Sequence, residues 1–414
     1  MKKLGLLICI ICFVCLFTAC AHEMPEELPQ NGNTDVVNDV EQQGENAVID
    51  GTLFTPSDNE IVYAGIQYFS NLPGMVLVMD QNIHWGGAHL SYVNKANMKE
   101  YYFCFDPLCD HMECPTGYAG FMIWPWYFVW SPASENLYAL CADSKSTLRT
   151  DGALYRVDMY TQEIKQVVPT DGNKITAIYA TNDHIYLKRE RAESGINVIR
   201  FDPLTEKYET IAAPQGKIFW DFCISGETVL VRFIDESCIC LTTLDFEEYT
   251  PISLQRYDFI VGTTAYSTAD FDGNYILDMA SQRTICRYDL LSDEVKILTS
   301  FENAAVECVG CDGDYIYYIL WSLADGDPEK VSQRETTLYR ISVDGGEPEP
   351  MLDFCKENTG LRTDFYATHV QCFDGVLYAV LSQVVSDGLA DIYGVISVED
   401  GQWRFDTLSA GDEP

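Results

Sequence analysis

Three features of this chain predict an all-β fold of the propeller class: aromatic-rich strands, turn pairs that recur along the sequence, and no helical period. Aromatics make up 13% of its 414 residues, led by 25 Tyr and 20 Phe, which favours strands over helices. Turn-like pairs stand ahead of β-rich runs at Asp58-Asn59, Glu135-Asn136, Asn182-Asp183, Ser225-Gly226, Asp272-Gly273, Asp312-Gly313 and Asp374-Gly375. Gly and Asn tolerate the positive φ that tight hairpin turns demand. A second element follows each pair, ending at Asp106, Asp158, Asp202, Asp245, Asp289, Ser342 and Ser397, at intervals of 52, 44, 43, 44, 53 and 55 residues. Four short strands in every ~40–50 residues is the period of propeller blades. The seven copies predict a seven-bladed β-propeller over residues 55–410, with six- and eight-bladed rings as the alternatives. Such a ring is expected to close by joining a strand from the start of the domain to the last blade. The spacing is too long for solenoid coils and too regular for two sandwiches.

The N-terminal elements have their own chemistry. Lys2 and Lys3 precede an unbroken apolar run from Leu4 to Phe17, the layout of a signal peptide over residues 1–19. Fourteen apolar residues are short of the ~20 needed to span a bilayer core. Residues 21–50 contain eight acidic residues and no Lys or Arg, and few large apolar groups, so residues 20–54 are expected to form a flexible acidic tether. Residues 411–414 fall beyond the last repeat and are expected to be a disordered tail.

Phe17-Thr18-Ala19-Cys20 resembles the lipobox of bacterial lipoproteins, in which two small residues precede the cysteine that is lipidated. It departs from the commonest pattern in having Phe17 where Leu is usual. The resemblance implies a lipid on Cys20 and an extracytoplasmic chain anchored to the cell membrane.

The formal charge of -37 excludes nucleic acid as a partner, because phosphates require a basic surface. It reads as a solvated acidic shell that keeps an exported protein soluble.

The densest chemistry lies in FCFDPLCDHMECPTG, residues 103–117, where Cys104, Cys109, His111 and Cys114 fall within eleven positions. Aligned on FDPL, it matches RFDPLTEKYET at 200–210, whose Arg200, Thr205, Lys207 and Thr210 take the places of the three cysteines and the histidine. On that alignment the blade does not need sulfur there. Three thiolates and an imidazole suit a structural zinc ion, a disulfide would use two of the cysteines, and free thiols are the third reading. Among the other cysteines, Cys141, Cys223, Cys286 and Cys372 sit in apolar strand contexts and read as small core residues. The lone pair Cys308 and Cys311 is too little for a zinc ribbon and leaves a redox role as the other reading.

Aromatics offer a candidate ligand face. Trp124, Trp126 and Trp130 within WPWYFVW, and Trp85 within HWGG, are dense enough to line a stacking surface on an axial face, unless they fill the taper between blades. No sialidase box, Gly-x-Ser-x-Gly elbow, His-Glu-x-x-His motif or phosphate-cradling loop is present.

The blades of the kind DGDYIYY at 312–318 and TLYRISVDGG at 337–346 resemble those of uncharacterised TolB-like propeller lipoproteins of anaerobic Gram-positive bacteria. The resemblance covers residues 55–410 and implies a fold, a surface location and binding. The sequence therefore points away from catalysis, to a cell-surface module that captures a glycan, a peptide or a partner protein. A glycan-active hydrolase or lyase and a metal-handling lipoprotein are the alternatives.

Overall fold

The computed structural model describes residues 61–63, 69–79, 90–102, 125–142, 152–158, 163–169, 174–190, 195–234, 236, 238–270, 279–324, 327–354, 365–385 and 388–408. These form β-strands with one short 3-10 turn, Met279–Ser281.

The first strand, β1 (Ile61–Tyr63), is treated below. The first sheet is β2 (Phe69–Leu72), β3 (Met75–Met79), β4 (Leu90–Asn94) and β5 (Lys99–Tyr102). The second is β6 (Pro125–Ser131), β7 (Asn136–Ala142), β8 (Gly152–Val157) and β9 (Ile164–Val168). A third follows as β10 (Ile175–Ala180), β11 (Ile185–Glu190), β12 (Ile196–Asp202) and β13 (Lys207–Ile211). The fourth is β14 (Phe219–Ser225), β15 (Thr228–Phe233), β16 (Ile239–Thr242) and β17 (Thr250–Ile252). In the fifth, β18 (Phe259–Val261), β19 (Thr264–Ala269), β20 (Thr284–Asp289) and β21 (Glu294–Ser300) repeat the pattern.

The remaining strands share one nine-stranded sheet. Its first group is β22 (Ala304–Cys311), β23 (Tyr315–Ala324), β24 (Asp327–Arg334), β25 (Thr337–Ser342) and β26 (Glu349–Asp353). Its second is β27 (Tyr366–Phe373), β28 (Val376–Val385), β29 (Gly388–Glu399) and β30 (Gln402–Thr407). Parallel pairing of Gly310 with Val370 and of Cys311 with Gln371 joins the groups through β22 and β27. A Cβ on Gly310 would lie 2.1 Å from the Val370 carbonyl oxygen, so only glycine permits this approach.

Each sheet is a meander of neighbouring antiparallel strands, and the burial pattern explains its sequence. Middle strands such as β11 and β12 are buried on both faces, while outer strands such as β13 are exposed along most of their length. Apolar residues therefore run without strict alternation in the middle strands, and charges collect on the outermost ones. Apolar clusters fill the gaps between successive sheets. Tyr138 and Leu154 meet Ile185 and Phe201, Val198 meets Phe222 and Val231, and Leu230 meets Ile260 and Tyr288. Ile285 meets Ile316 and Tyr318, and Tyr317 meets Val370 and Ala379 across the nine-stranded sheet. The first sheet returns to the last group, where Phe69, Val76 and Val93 pack on Tyr378, Val380 and Tyr393. The arrangement is that of a propeller.

Closure differs from the expectation. The last group supplies all its own strands, and the first and last sheets meet through side chains, with Lys95 Nζ 2.6 Å from both Asp374 Oδ2 and Asn71 Oδ1. The N-terminal strand β1 instead pairs with β18 of the fifth sheet, Ile61 opposite Val261 and Tyr63 opposite Phe259. Asp58-Asn59 thus precedes this added strand and opens no sheet of its own. The first sheet turns at Pro73-Gly74 and the fifth at Gly262-Thr263, where Gly74 and Gly262 have positive φ. Asp272-Gly273 lies outside the described residues, between β19 and β20. The other five turn pairs do fall between the first and second strands of their sheets or groups.

The FDPL alignment is also corrected. The Asp202 turn joins β12 to β13, the third and fourth strands of a sheet, whereas residues 103–117 follow β5, already a fourth strand. The counterpart of that turn in the first sheet is Asn94 to Met98. Asn94 Oδ1 accepts the Ala96 N–H at 2.9 Å, Asp202 Oδ1 that of Leu204 at 2.8 Å, and Asp289 Oδ1 that of Leu291 at 3.0 Å. In each, the residue four positions on (Met98, Glu206 or Asp293) has positive φ. An Asx side chain thus starts the turn, and a left-handed residue ends it.

Candidate functional site

The first strands of the sheets share a local irregularity. The ladder to the second strand shifts between Pro125 and Tyr127, Ile175 and Ala177, Phe219 and Asp221, and Ala367 and His369. Trp126, Thr176, Trp220 and Thr368 are the residues passed over. A bulge leaves one residue out of the ladder and re-aims its side chain. Trp220 uses this freedom: the residue is 54% exposed, unusual for the largest apolar side chain, and Ile218, two positions before it, is 39% exposed.

Charged groups gather at the same end of β14. Asp221 accepts from Lys188 Nζ at 2.7 Å. Arg232, opposite Asp221 in the ladder, donates to the Gln255 carbonyl at 2.5 Å, and Arg256 lies 3.3 Å from Asp258. Asp221, Arg232, Arg256 and Tyr257, with Phe222 and Leu230, line a cleft of about 170 Å³ between the fourth sheet and the segment that leads into β18. Burial pushes the Asp258 carboxyl up, opposed by the Arg256 guanidinium and by the Thr268 N–H that it accepts at 2.8 Å. Burial also pushes the Cys223 thiol up to about 12, against a hydrogen bond with Tyr257. β1 ends here as well, since Tyr63 pairs with Phe259, the neighbour of Asp258. This is a charged, aromatic-edged cleft at the end of an extended segment held on the inner edge of β18.

Of the residues singled out in the sequence, Cys20, Trp85, Cys104, Cys109, His111, Cys114 and Trp124 lie outside the described residues. So does the zinc, disulfide or free-thiol question that rests on four of them. Trp126 stands at the bulge of β6, and its side chain is not described. Trp130 is buried, with 7% exposure. Cys308 and Cys311 are both pushed up by burial, Cys311 to about 12, so both are protonated and poor nucleophiles. Trp220, Asp221, Arg232 and Arg256 were missed by sequence reasoning. One signal was available: WDFCIS at 220–225 repeats the spacing of WYFVWS at 126–131, with Trp, Phe and Ser in the same places.

The fold defines the class: a β-propeller. No family model matches the sequence, and no curated protein is similar to it at the sequence level. Solved structures are similar in fold. The β-propeller domain of the Trilobed protease from Pyrococcus furiosus, described as having an open velcro topology, matches with a TM-score of 0.50 at 10% identity over 85% of this chain and 100% of that one. An acylaminoacyl peptidase of Pyrococcus horikoshii matches with a TM-score of 0.50 at 12% identity over 84% of this chain and 52% of its own. A prolyl endopeptidase matches with a TM-score of 0.52 at 11% identity over 83% of this chain and 49% of its own. This chain therefore spans about half the length of those two peptidases. At this identity the likeness is one of fold. The expectation of a non-enzymatic capture module, with its glycan-hydrolase and metal-handling alternatives, is corrected to this extent: the propellers that this chain resembles in fold are domains of peptidases.

Proposed function

We propose that this chain is a peptidase-type propeller, which receives extended peptides on the inner edge of its first strands and presents them to a hydrolytic unit. The observation that carries the reading is β1. An extended segment already lies antiparallel on β18, paired residue by residue from Ile61–Val261 to Tyr63–Phe259. Strand addition of this kind draws affinity from main-chain hydrogen bonds and tolerates varied side chains, which suits a device that handles many peptides. The charged cleft at the end of β1 and the exposed Trp220 supply side-chain contacts beyond the ladder. The fold likeness to propellers of peptidases supports the same reading. One of those matches comes from work on two prolyl endopeptidases concerned with inter-domain dynamics in catalysis and specificity. Seven blades are part of the proposal: the two groups of the nine-stranded sheet, taken as separate blades, would add two to the five other sheets.

The test uses fluorescent extended oligopeptides and the full chain. Val62→Pro removes an N–H from β1 and weakens its hold on β18. If β1 competes for the edge, the variant binds the peptides about tenfold more tightly, equivalent to ~1.4 kcal/mol. Equal affinity of variant and native chain, or no binding by either, overturns the reading. Cells lacking the chain should hydrolyse the same peptides severalfold more slowly, and unchanged hydrolysis overturns the peptidase assignment.

The proposal extends to location. A lipid on Cys20 and the acidic tether would stand the propeller off the outer face of the membrane, in keeping with the resemblance to propeller lipoproteins. Cys20→Ala should move the chain from the membrane fraction to the soluble one, and retention in the membrane rules out the anchor.

A further inference from the structure

The connection from β15 to β16 brings together three side chains that the peptide reading does not use. Glu236, Cys238 and Cys240 each direct one ligand atom to a common point, and these atoms all lie within 4.8 Å of one another. Cys238 and Cys240 are two residues apart and so share a face as the chain enters β16. Cys240 is buried, and Glu236 and Cys238 are half-buried. Both thiols are free.

A cation already leans on the cluster. Lys217 Nζ lies 2.9 Å from Glu236 Oε1 and 4.6 Å from the centre of the Phe233 ring, anchored by a carboxylate on one side and an aromatic face on the other. Burial and the neighbouring Cys238 push the Cys240 thiol up to about 11. A metal able to displace the thiol protons would gain two thiolates and a carboxylate whose ligand atoms already lie within 4.8 Å of one another. Calcium and magnesium prefer all-oxygen shells, whereas zinc-class ions accept mixed sulfur and oxygen ligands at 2.0–2.3 Å, roughly, from the metal.

We propose that Glu236, Cys238 and Cys240 form a three-ligand site for a thiophilic divalent cation of the zinc class. The fourth position is left to water or to an incoming ligand. The site shares no residue with the Cys104–Cys114 segment and does not depend on the peptide-handling role. Metal binding competes with Lys217 for Glu236, whose ion pair links the segment leading into β14 to the connection between β15 and β16.

The test is metal analysis and cobalt titration of the full chain, run in a Cys104→Ser/Cys109→Ser/Cys114→Ser background so that the other cysteine cluster contributes no signal. The background chain is expected to take up one equivalent of cobalt with a thiolate-to-metal absorption band. Cys238→Ser/Cys240→Ser should abolish the band. Glu236→Gln, which keeps the shape of the side chain and removes its charge, should weaken uptake at least tenfold. Lys217→Met, which removes the competing ammonium, should retain or strengthen it. A background chain that melts cooperatively and gives no thiolate band overturns the proposal, as does a band that survives Cys238→Ser/Cys240→Ser.

Discussion

His369 shows how much a single side chain can be decided by its surroundings. In the sequence it is one of six histidines with no motif around it. In the fold it follows the bulge of β27 and is buried, which lowers its pKa to about 4 against a hydrogen bond with Gln371. A histidine kept neutral in the folded state binds fewer protons than it does in the unfolded chain. Its contribution is therefore intact above about pH 6.5 and is lost as the pH falls from there through about 4. The amount at stake is about 3 kcal/mol at most. His369→Gln should flatten that acid limb in melts recorded between pH 7 and pH 4, roughly, and an unchanged limb would assign the acid sensitivity to other groups. Trp220 makes the same point about legibility. Its likeness to Trp126 could be read from the shared Trp-x-Phe-x-x-Ser spacing, but its exposure could not, since a bulge has no local signature in an apolar strand.

At the scale of elements, turns were the most legible features and added strands the least. Asp374-Gly375 was readable because both residues take positive φ, a demand met by few residue types. β1 was misread because three apolar residues after an Asx pair look alike whether they open a sheet or join another. The parallel pairing of β22 with β27 was equally silent, although its enabling residue is plain in retrospect. Gly310→Ala would force a Cβ to within 2.1 Å of the Val370 oxygen, so the two strands must move apart. The expected cost is about 1–3 kcal/mol, read as a lowered melting temperature with Cys308 and Cys311 more open to thiol reagents. An unchanged melt would mean that the contact between the two groups is looser than the pairing implies.

At the scale of the molecule, a charge of -37 must be spread over a chain whose middle strands are buried on both faces. Like charges therefore crowd the outer strands and loops, and their repulsion opposes the folded ring. Raising NaCl from about 10 mM to about 0.3 M shortens the screening length severalfold, so it should raise the melting temperature by a few degrees. A melting temperature that falls with salt would show that ion pairs such as Lys95–Asp374, rather than net repulsion, dominate. The sequence by itself determined the all-β class and most hairpin turns, because these depend on residue period and local turn chemistry. The tertiary structure alone decided that β1 lies on β18, and that the ring closes through Phe69, Tyr378 and the Lys95–Asp374 pair. It alone decided, too, that Glu236, Cys238 and Cys240 converge beside Lys217. The physical reason is that pairing between distant segments is settled by which edges and faces remain unfilled once the sheets have packed, and no local stretch of sequence records that.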